Sequence, residues 1–312
     1  MARIVYAALF LLLTLVAGIA SAGLLRDRVR DRVMERLSGD QVPRGDLPAE
    51  GEALPASRSH YVTLQRPEGA RRYLLHLPPV TGDKPLPLII VLHGYGSNPA
   101  QTENLTGFST LADAEGFAVA YPLGEGRKPQ WRFLGHDHKD EEFILGLIDD
   151  VARFIPLDQG RVYVTGISNG AQMSWRLGCV APQRFAAIAP VAGNYAGYDD
   201  CQTSLSLPVI LFHGTADRIL PYDGRLMQFS PAIWAADRAK QNGCYRSPQL
   251  VFQQAEVTAQ GWLHCRADAS VIFYTLNNKG HSWPGSNMPE KITSRTIDAT
   301  RLIWDFFQLH SR

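Results

Sequence analysis

The sequence has almost no net charge. Its 31 lysines and arginines are balanced by 30 aspartates and glutamates, which leaves a formal charge of +1 at pH 7. A protein that binds nucleic acid usually carries a basic surface, so this balance argues against a nucleic-acid partner. The 312 residues contain no internal repeat and no low-complexity tract. A hydrophobic content of 45% is ample for a large buried core.

Cysteine is scarce, with four residues in the whole chain, and none of the spacings forms a Cys-x-x-Cys pair. This absence argues against a zinc or redox site built from thiols. If the chain is exported, as its first residues (1–22) predict, an even number of cysteines predicts two disulfides, the alternative being four free thiols. Of the three pairings, Cys179 with Cys201 and Cys244 with Cys265 are favoured. Each closes a loop of about 20 residues, which corresponds to roughly 3 kcal/mol of stabilisation.

The first residues resemble an export signal. Arg3 precedes an uncharged apolar run over residues 4–20, and Ala20-Ser21-Ala22 supplies a small-x-small cleavage site. The pattern predicts a secretory signal peptide over residues 1–22, and hence a secreted protein that is extracellular or periplasmic. The alternative is an uncleaved membrane anchor, because the run is almost long enough to span a bilayer. No cysteine follows the run, which argues against a lipoprotein.

Residues 23–57 are predicted to form a charged amphipathic helix and a flexible linker. Leu25, Val29, Val33 and Leu37 recur every four residues among charged ones, which is typical of a helix with a narrow apolar stripe. Such a helix, over residues 24–37, is either a solvated leader or makes a weak contact with a membrane surface or a partner, and the solvated leader is favoured. Residues 39–57, rich in proline, glycine and acidic side chains, are typical of a linker. A catalytic domain is expected over residues 58–312, in an oligomeric state that the sequence leaves open.

Short β-like runs alternate with helical segments from residue 60 onward, which predicts an α/β domain with a mostly parallel central sheet and helices on both faces. The continuous apolar run at 87–94, "PLIIVLHG", is typical of a buried parallel strand. The predicted strands cover 61–65, 71–77, 87–94, 117–122, 161–165, 186–191, 208–212 and 270–276, and the predicted helices cover 105–115, 141–154, 169–180, 232–242 and 292–309.

A serine between two glycines follows one of these strands, in "RVYVTGISNGA". Gly-x-Ser-x-Gly between a strand and a helix predicts a nucleophile elbow, in which Ser168 is exposed on a strained turn. Gly166 and Gly170 are expected where a side chain would collide with the neighbouring strand or helix. The alternative is an ordinary tight turn, since the motif is short.

A serine hydroxyl needs a base, and that base needs a carboxylate to orient it. Asp217 follows the strand "PVILFHG", and His281 lies in "NNKGHSWPG" just past the next apolar strand. The order Ser168, Asp217, His281 is that of an α/β-hydrolase, and all three residues are expected at one edge of the sheet. The mechanism predicts that protonation of His281 at low pH abolishes activity.

The oxyanion hole requires two backbone donors. The amide of Asn169 follows the nucleophile, and the amide of Tyr95 lies in "LHGYGSNP" after an early buried strand. His93 and His213 precede glycines at strand ends and are expected to shape loops. No metal and no organic cofactor is expected, because the serine mechanism needs neither. The histidines of "GHDHKDEE", His136 and His138, could be metal ligands but are more typical of a solvated loop.

Taken together, "HGYGSNP", "RVYVTGISNGAQMSW", "FAAIAPVAG", "HGTADRILPY", "AIWAADRAKQNGC" and "GHSWPG" resemble the secreted polyhydroxybutyrate depolymerase and feruloyl esterase family, over nearly the whole chain from about residue 60. The resemblance implies an α/β-hydrolase fold, Ser168 as nucleophile, Asp217 as acid and His281 as base. It also implies cystine bridges in the two loops named above. Family members act on short polyesters, hydroxycinnamoyl esters or acetylated sugars.

The chain departs from the family pattern beside the acyl site. Ala171 and Gln172 follow Gly170 where the family often has a second glycine, and the first loop contains less glycine. The nature of the ester therefore stays open. Trp131, Tyr222 and Trp283 are candidates for the wall of the substrate cleft, with core packing as the alternative. Two other classes are also open: a serine peptidase of the same fold and a non-catalytic binding protein on this scaffold.

Overall fold

In a computed structural model of the protein, ten strands form one central sheet. The structure describes residues 58–66, 69–79, 84–133, 138–193, 201, 203, 205–224 and 230–312. The strands in chain order are β1 Ser59–Arg66, β2 Gly69–His76, β3 Leu86–Leu92, β4 Ala118–Pro122, β5 Leu157–Ile167, β6 Ala187–Val191, β7 Val209–Gly214, β8 Gln249–Gln254, β9 Val257–Trp262 and β10 Val271–Leu276.

Six helices accompany these strands in the described part of the chain. They are α1 Pro99–Thr106, α2 Phe108–Glu115, α3 Lys139–Val151, α4 Asn169–Val180, α5 Pro231–Gln241 and α6 Ala299–Phe307. No helix in the described ranges is both long and apolar enough to cross a bilayer. The predicted signal peptide and the predicted helix and linker of residues 23–57 lie outside the described residues.

The strand order is β1-β2-β4-β3-β5-β6-β7-β10-β9-β8. The six central strands, β4 to β10 in this order, are parallel to one another, and antiparallel strands flank them on each side. Every residue of β3, β6 and β7 is buried, as expected for parallel strands covered on both faces. The predicted mostly parallel α/β sheet is thus confirmed.

Two apolar cores lie on opposite faces of the sheet. One contains side chains of α3, α4 and α5, such as Phe143, Met173 and Trp234. The other contains side chains of α2 and α6, such as Phe108 and Phe307. The helices therefore cover both faces, which leaves the strand ends as the place where loops can form a site.

Two predicted helices were wrong in their bounds. The helix expected over 105–115 is two helices, because Gly107 adopts a left-handed conformation (φ 67°) and its amide closes the end of α1 onto Glu103. The helix expected from residue 292 begins only at Ala299. Asp298 caps it by accepting hydrogen bonds from the amides of Thr300 (2.9 Å) and Arg301 (3.3 Å).

The fold also contains an antiparallel strand pair at one edge of the sheet and two disulfides. The β8–β9 hairpin was not predicted, because β8 is almost wholly exposed and lacks a buried apolar face. Disulfides join Cys179 to Cys201 and Cys244 to Cys265, the pairing favoured from the sequence. The first ties the end of α4 to the chain before β7, and the second ties the end of α5 to the chain after β9.

Candidate active site

Ser168 lies between the last residue of β5 and the first residue of α4. Its backbone has φ 59° and ψ −117°, a conformation that costs energy in a residue with a side chain. The Ser168 amide is anchored to the carbonyl of Val191 in β6 at 3.0 Å. Its hydroxyl makes no capping hydrogen bond to α4, although it stands at the helix start. The strained turn therefore holds a serine whose hydroxyl is not engaged in capping.

The two glycines of the motif are required by close approach of neighbouring backbone. A Cβ atom at Gly166 would lie 2.6 Å from the carbonyl carbon of Gly170 and 2.7 Å from the carbonyl oxygen of Leu92. A Cβ atom at Gly170 would collide with the same Leu92 oxygen and lie 2.7 Å from that of His93. The turn crosses directly over the end of β3, so side chains at either position are excluded.

Asp217 and His281 lie in the loops that follow β7 and β10, two strands that pair in parallel. The Nδ1 atom of His281 is 2.8 Å from Oδ2 of Asp217, and both side chains are buried. The Nε2 atom of His281 has no hydrogen-bond partner among the described residues. The structure therefore brings the predicted acid and base into contact and leaves the distal nitrogen of the base available.

The Asp217 carboxylate is surrounded by donors. Its Oδ1 atom accepts hydrogen bonds from the amides of Ile219 (2.8 Å) and Leu220 (2.9 Å). Burial by itself would raise the pKa of Asp217, but the charge of His281 and hydrogen bonds from His213 and His281 outweigh it and hold the pKa below its ordinary value. The carboxylate is thus fixed in its ionised form, as an orienting acid requires.

The loop that carries His281 is hydrogen-bonded to residues 292–294, which follow it in the chain. The amide of Gly280 donates to the carbonyl of Ile292 at 2.9 Å, and the amide of Gly285 donates to the carbonyl of Ser294 at 2.9 Å. Residues 292–298, expected as the start of a helix, therefore support the loop of the candidate base instead.

The loop after β3 carries the predicted oxyanion donor Tyr95. The amide of Gly96, at φ 75°, donates to the carbonyl of Pro129 at 2.7 Å, and the amide of Ser97 donates to the carbonyl of Gly94 at 3.1 Å. Tyr95 lies inside this closed turn. The Asn169 amide, the second predicted donor, is the first amide of α4.

Hydrogen bonds that the sequence did not indicate connect the nucleophile turn to the loop of Tyr95 through Trp131. The side chain of Asn169 accepts a hydrogen bond from the backbone amide of Trp131 (2.6 Å) and donates one to its carbonyl (3.1 Å). The indole Nε1 of Trp131 donates to the carbonyl of His93 at 2.9 Å. Asn169, Trp131 and His93 therefore join the nucleophile turn, the loop before α3 and the loop of Tyr95.

His93 is the centre of this bridge and is completely buried. Its Nε2 accepts a hydrogen bond from the amide of Gly124 at 2.9 Å, so its Nδ1 carries the proton and donates to the carbonyl of Gly94 at 2.7 Å. Burial lowers the pKa of His93 from 6.5 to about 4. A neutral ring is what this pattern of one donor and one acceptor requires.

Two of the three aromatic residues proposed for the cleft wall lie in the interior. Trp131 and Trp283 are 2% and 1% exposed. The ring of Trp131 packs against His93, and the indole nitrogen of Trp283 donates to Thr300 at 2.9 Å. Tyr222 is half-buried, and its hydroxyl lies 3.1 Å from that of Thr275. A substrate-binding role for all three stays a prediction.

The charged loop before α3 is described only in part. His136 lies outside the described residues, while Nδ1 of His138 is 2.7 Å from a carboxylate oxygen of Glu141. Within the described ranges, no three side chains of histidine, cysteine, aspartate or glutamate are grouped as a metal site would need.

The chain is similar in sequence to known esterases and depolymerases. Residues 71–218 match the family model described as Esterase PHB depolymerase. Over 246 residues the chain is 27% identical to the bifunctional acetylxylan esterase/xylanase XynS20E of Neocallimastix patriciarum, covering 78% of this chain and 34% of that protein. It is 31% identical to the poly(3-hydroxyalkanoate) depolymerase C of Paucimonas lemoignei, over 38% of this chain and 30% of that protein. The chain thus spans about a third of the length of these two relatives.

The fold is shared with solved esterase structures. An acetyl xylan esterase from Aspergillus awamori superposes with a TM-score of 0.56 at 16% identity, covering 72% of this chain and 94% of that one. At this identity the likeness concerns the fold alone, and it confirms the α/β-hydrolase architecture. The stretch that matches the family model runs from β2 to the loop of Asp217, and this match confirms the resemblance to the Esterase PHB depolymerase family seen in the sequence.

Proposed function

We propose that this chain is a carboxylic ester hydrolase in which Ser168 is the nucleophile, His281 the general base and Asp217 the carboxylate that orients His281. The observation that carries the proposal is the 2.8 Å contact between His281 Nδ1 and the buried Oδ2 of Asp217, with Nε2 of His281 unengaged. Ser168 lies at the same edge of the sheet, and its strained backbone is of the kind that is found at active sites.

The acylation step follows from this arrangement. His281 Nε2 takes the proton of the Ser168 hydroxyl while the serine oxygen attacks the ester carbonyl carbon. Asp217 stabilises the imidazolium that forms. The negative charge on the carbonyl oxygen is held by the amides of Asn169 and Tyr95, at the positively polarised start of α4. Collapse of the tetrahedral intermediate expels the alcohol, which receives its proton from His281.

Deacylation repeats the sequence with water. His281 removes a proton from water, the resulting hydroxide attacks the acyl carbon, and the carboxylic acid leaves as Ser168 regains its proton. A base is required in both steps, so activity is lost at acid pH when His281 is protonated.

The relatives suggest two classes of ester. XynS20E is named as an acetylxylan esterase and the Paucimonas lemoignei protein as a poly(3-hydroxyalkanoate) depolymerase. We therefore infer that the substrate is an ester carried by a polysaccharide or a short hydroxyalkanoate polyester. We also infer that the chain is exported, because its two disulfides suit an oxidising compartment.

The test compares the parent chain with Ser168→Ala on a short p-nitrophenyl ester. We expect kcat to fall by at least about 10³-fold in the variant. Ser206→Ala is the matched control, because Ser206 precedes β7 at the opposite sheet edge and bonds weakly to the carbonyl of Asn242 at 3.5 Å. Parent-like turnover by Ser168→Ala, or no turnover by a folded parent chain, would overturn the proposal.

The substrate class is tested with a panel of a hydroxybutyrate trimer, methyl ferulate, acetylated xylan and a peptide amide. A tenfold preference, about 1.4 kcal/mol in transition-state free energy, identifies the class. Preference for the peptide amide would favour a peptidase, and binding of a panel member without turnover would favour a binding protein.

A further inference from the structure

Asp217 contacts a second histidine besides His281. His213 is the penultimate residue of β7 and is 1% exposed. Its Nε2 atom lies 2.8 Å from the carbonyl oxygen of Leu220 and 3.4 Å from Oδ2 of Asp217. A carbonyl oxygen can only accept a hydrogen bond, so Nε2 of His213 carries a proton. The oxygen of Asp217 that holds His281 therefore also faces an N–H group of His213.

The other ring nitrogen of His213 indicates that this histidine acts as a neutral donor. Its Nδ1 atom is buried and has no hydrogen-bond partner among the described residues. An imidazolium would place a second buried N–H at that position, without an acceptor, which is costly. The groups facing the ring are Asp217 and Leu220 from its own loop, Tyr222 edge-on at 6.0 Å, and Thr275, its register partner in β10.

Two hydrogen bonds and one longer contact of 3.4 Å form a closed ring around His213. His213 binds the carbonyl of Leu220, and the amide of Leu220 binds Oδ1 of Asp217. The second oxygen of Asp217 then lies between His213 and His281. Rotation of the carboxylate would break several of these contacts together, so His213 restricts the direction in which Asp217 points.

We propose that His213 is a positioning residue that holds Asp217 toward His281. The N–H group of His213 also contacts Oδ2 of Asp217 and so weakens the electrostatic attraction between this oxygen and the His281 imidazolium. This inference rests on the proposed function. Without the His213 donor, the amides of Ile219 and Leu220 still hold Oδ1 of Asp217, so Oδ2 stays near His281 although its direction is less restricted. Its charge is then no longer shared with His213, and the His281 imidazolium is favoured up to a higher pH. The acidic limb of the pH–rate profile then moves upward, while substrate contacts are unaffected.

The test uses three substitutions at residue 213 and kinetics from about pH 5 to about pH 9. His213→Leu removes the donor in a similar volume, and His213→Asn is a polar variant whose amide stops short of Asp217. His213→Gln extends an N–H group to about the place of Nε2. We expect the Leu and Asn variants to lose about tenfold in kcat, with KM within about twofold and the acidic limb raised by about half a pH unit. The Gln variant should retain the parent profile.

Two further variants are needed: His76→Gln as a matched control, and Ser168→Ala to separate a failure of this inference from a failure of the proposed function. His76→Gln changes another buried histidine, in β2, and should leave the acidic limb in place. An unshifted limb in folded His213→Leu or His213→Asn would overturn this inference, as would equal behaviour of the Gln and Leu variants. If Ser168→Ala hydrolyses the ester as well as the parent, the proposed function fails; if Ser168→Ala is inactive, an unshifted limb refutes only the role of His213.

Discussion

Replacing Asp217 with asparagine changes one atom of the site and should nearly abolish turnover. The amides of Ile219 and Leu220 both point at Oδ1, so the carbonyl oxygen of the new side chain must take that place. Its NH₂ group then faces Nδ1 of His281, 2.8 Å from the atom it replaces. Two N–H groups cannot bond to each other, so His281 must present Nδ1 as an acceptor and carry its proton on Nε2.

A His281 ring protonated at Nε2 cannot accept the proton of Ser168. We expect kcat to fall by about 10³- to 10⁴-fold, or about 4 to 5.5 kcal/mol in activation free energy, because the base is present in the wrong tautomer. The assay is steady-state hydrolysis of a p-nitrophenyl ester near pH 8, with unfolding in urea to verify that the variant is folded.

Asp305→Asn is the matched control for this substitution. Asp305 pairs with Arg301 within α6 at 2.9 Å and has no contact with the site residues, so its loss should leave kcat unchanged. Retention of more than about a tenth of the parent kcat by folded Asp217→Asn would refute the reasoning, because orientation of the base would then not depend on the carboxylate.

Three further predictions concern the surroundings of the site. Asn169→Ala leaves the backbone amide and carbonyl of Trp131 without the Asn169 side chain as their partner. We therefore expect the unfolding free energy to fall by about 1 to 3 kcal/mol and kcat to be lower. Parent-like unfolding in urea together with a parent-like kcat would contradict this. His93 is held neutral, with its pKa lowered from 6.5 to about 4, while the unfolded chain binds this proton below pH 6.5. The stability from His93 is therefore complete above about pH 6.5 and is lost as pH falls toward 4, by about 3 kcal/mol. Unfolding free energies measured across this range should decline less steeply in His93→Phe, and equal slopes would refute the assignment. Replacing Cys244 and Cys265 together with serine opens a loop with a sequence separation of 21 and should lower the unfolding free energy by about 3 kcal/mol, which an unchanged urea midpoint would contradict.

The sequence predicted the sheet edge of the site well because parallel strands place their carboxyl ends together. Asp217 and His281 each follow an apolar strand, and those strands, β7 and β10, are neighbours in the sheet. Their order in the chain and their positions after strand ends were sufficient to predict that the two residues lie close together, although they are 64 residues apart in the sequence. The roles of these side chains in catalysis stay predictions.

Contacts that depend on loop conformation could not be predicted from strand positions. Asn169 meets Trp131 only because the loop before α3 folds back over the nucleophile turn. His213 meets Asp217 because the chain after β7 turns sharply, and a histidine before a glycine gives no signal of this contact. A local signal was available for the start of α6, where Asp298 is a favourable capping residue.

The most direct test of Ser168 as nucleophile is capture of the acyl-enzyme. A single turnover of p-nitrophenyl acetate, quenched in acid within the burst phase, should give a protein with one acetyl group, and peptide mapping should locate it on Ser168. The Ser168→Ala variant should carry no acetyl group and show no burst. Acetylation of another residue in the parent chain, or an undiminished burst in Ser168→Ala, would contradict the proposed mechanism.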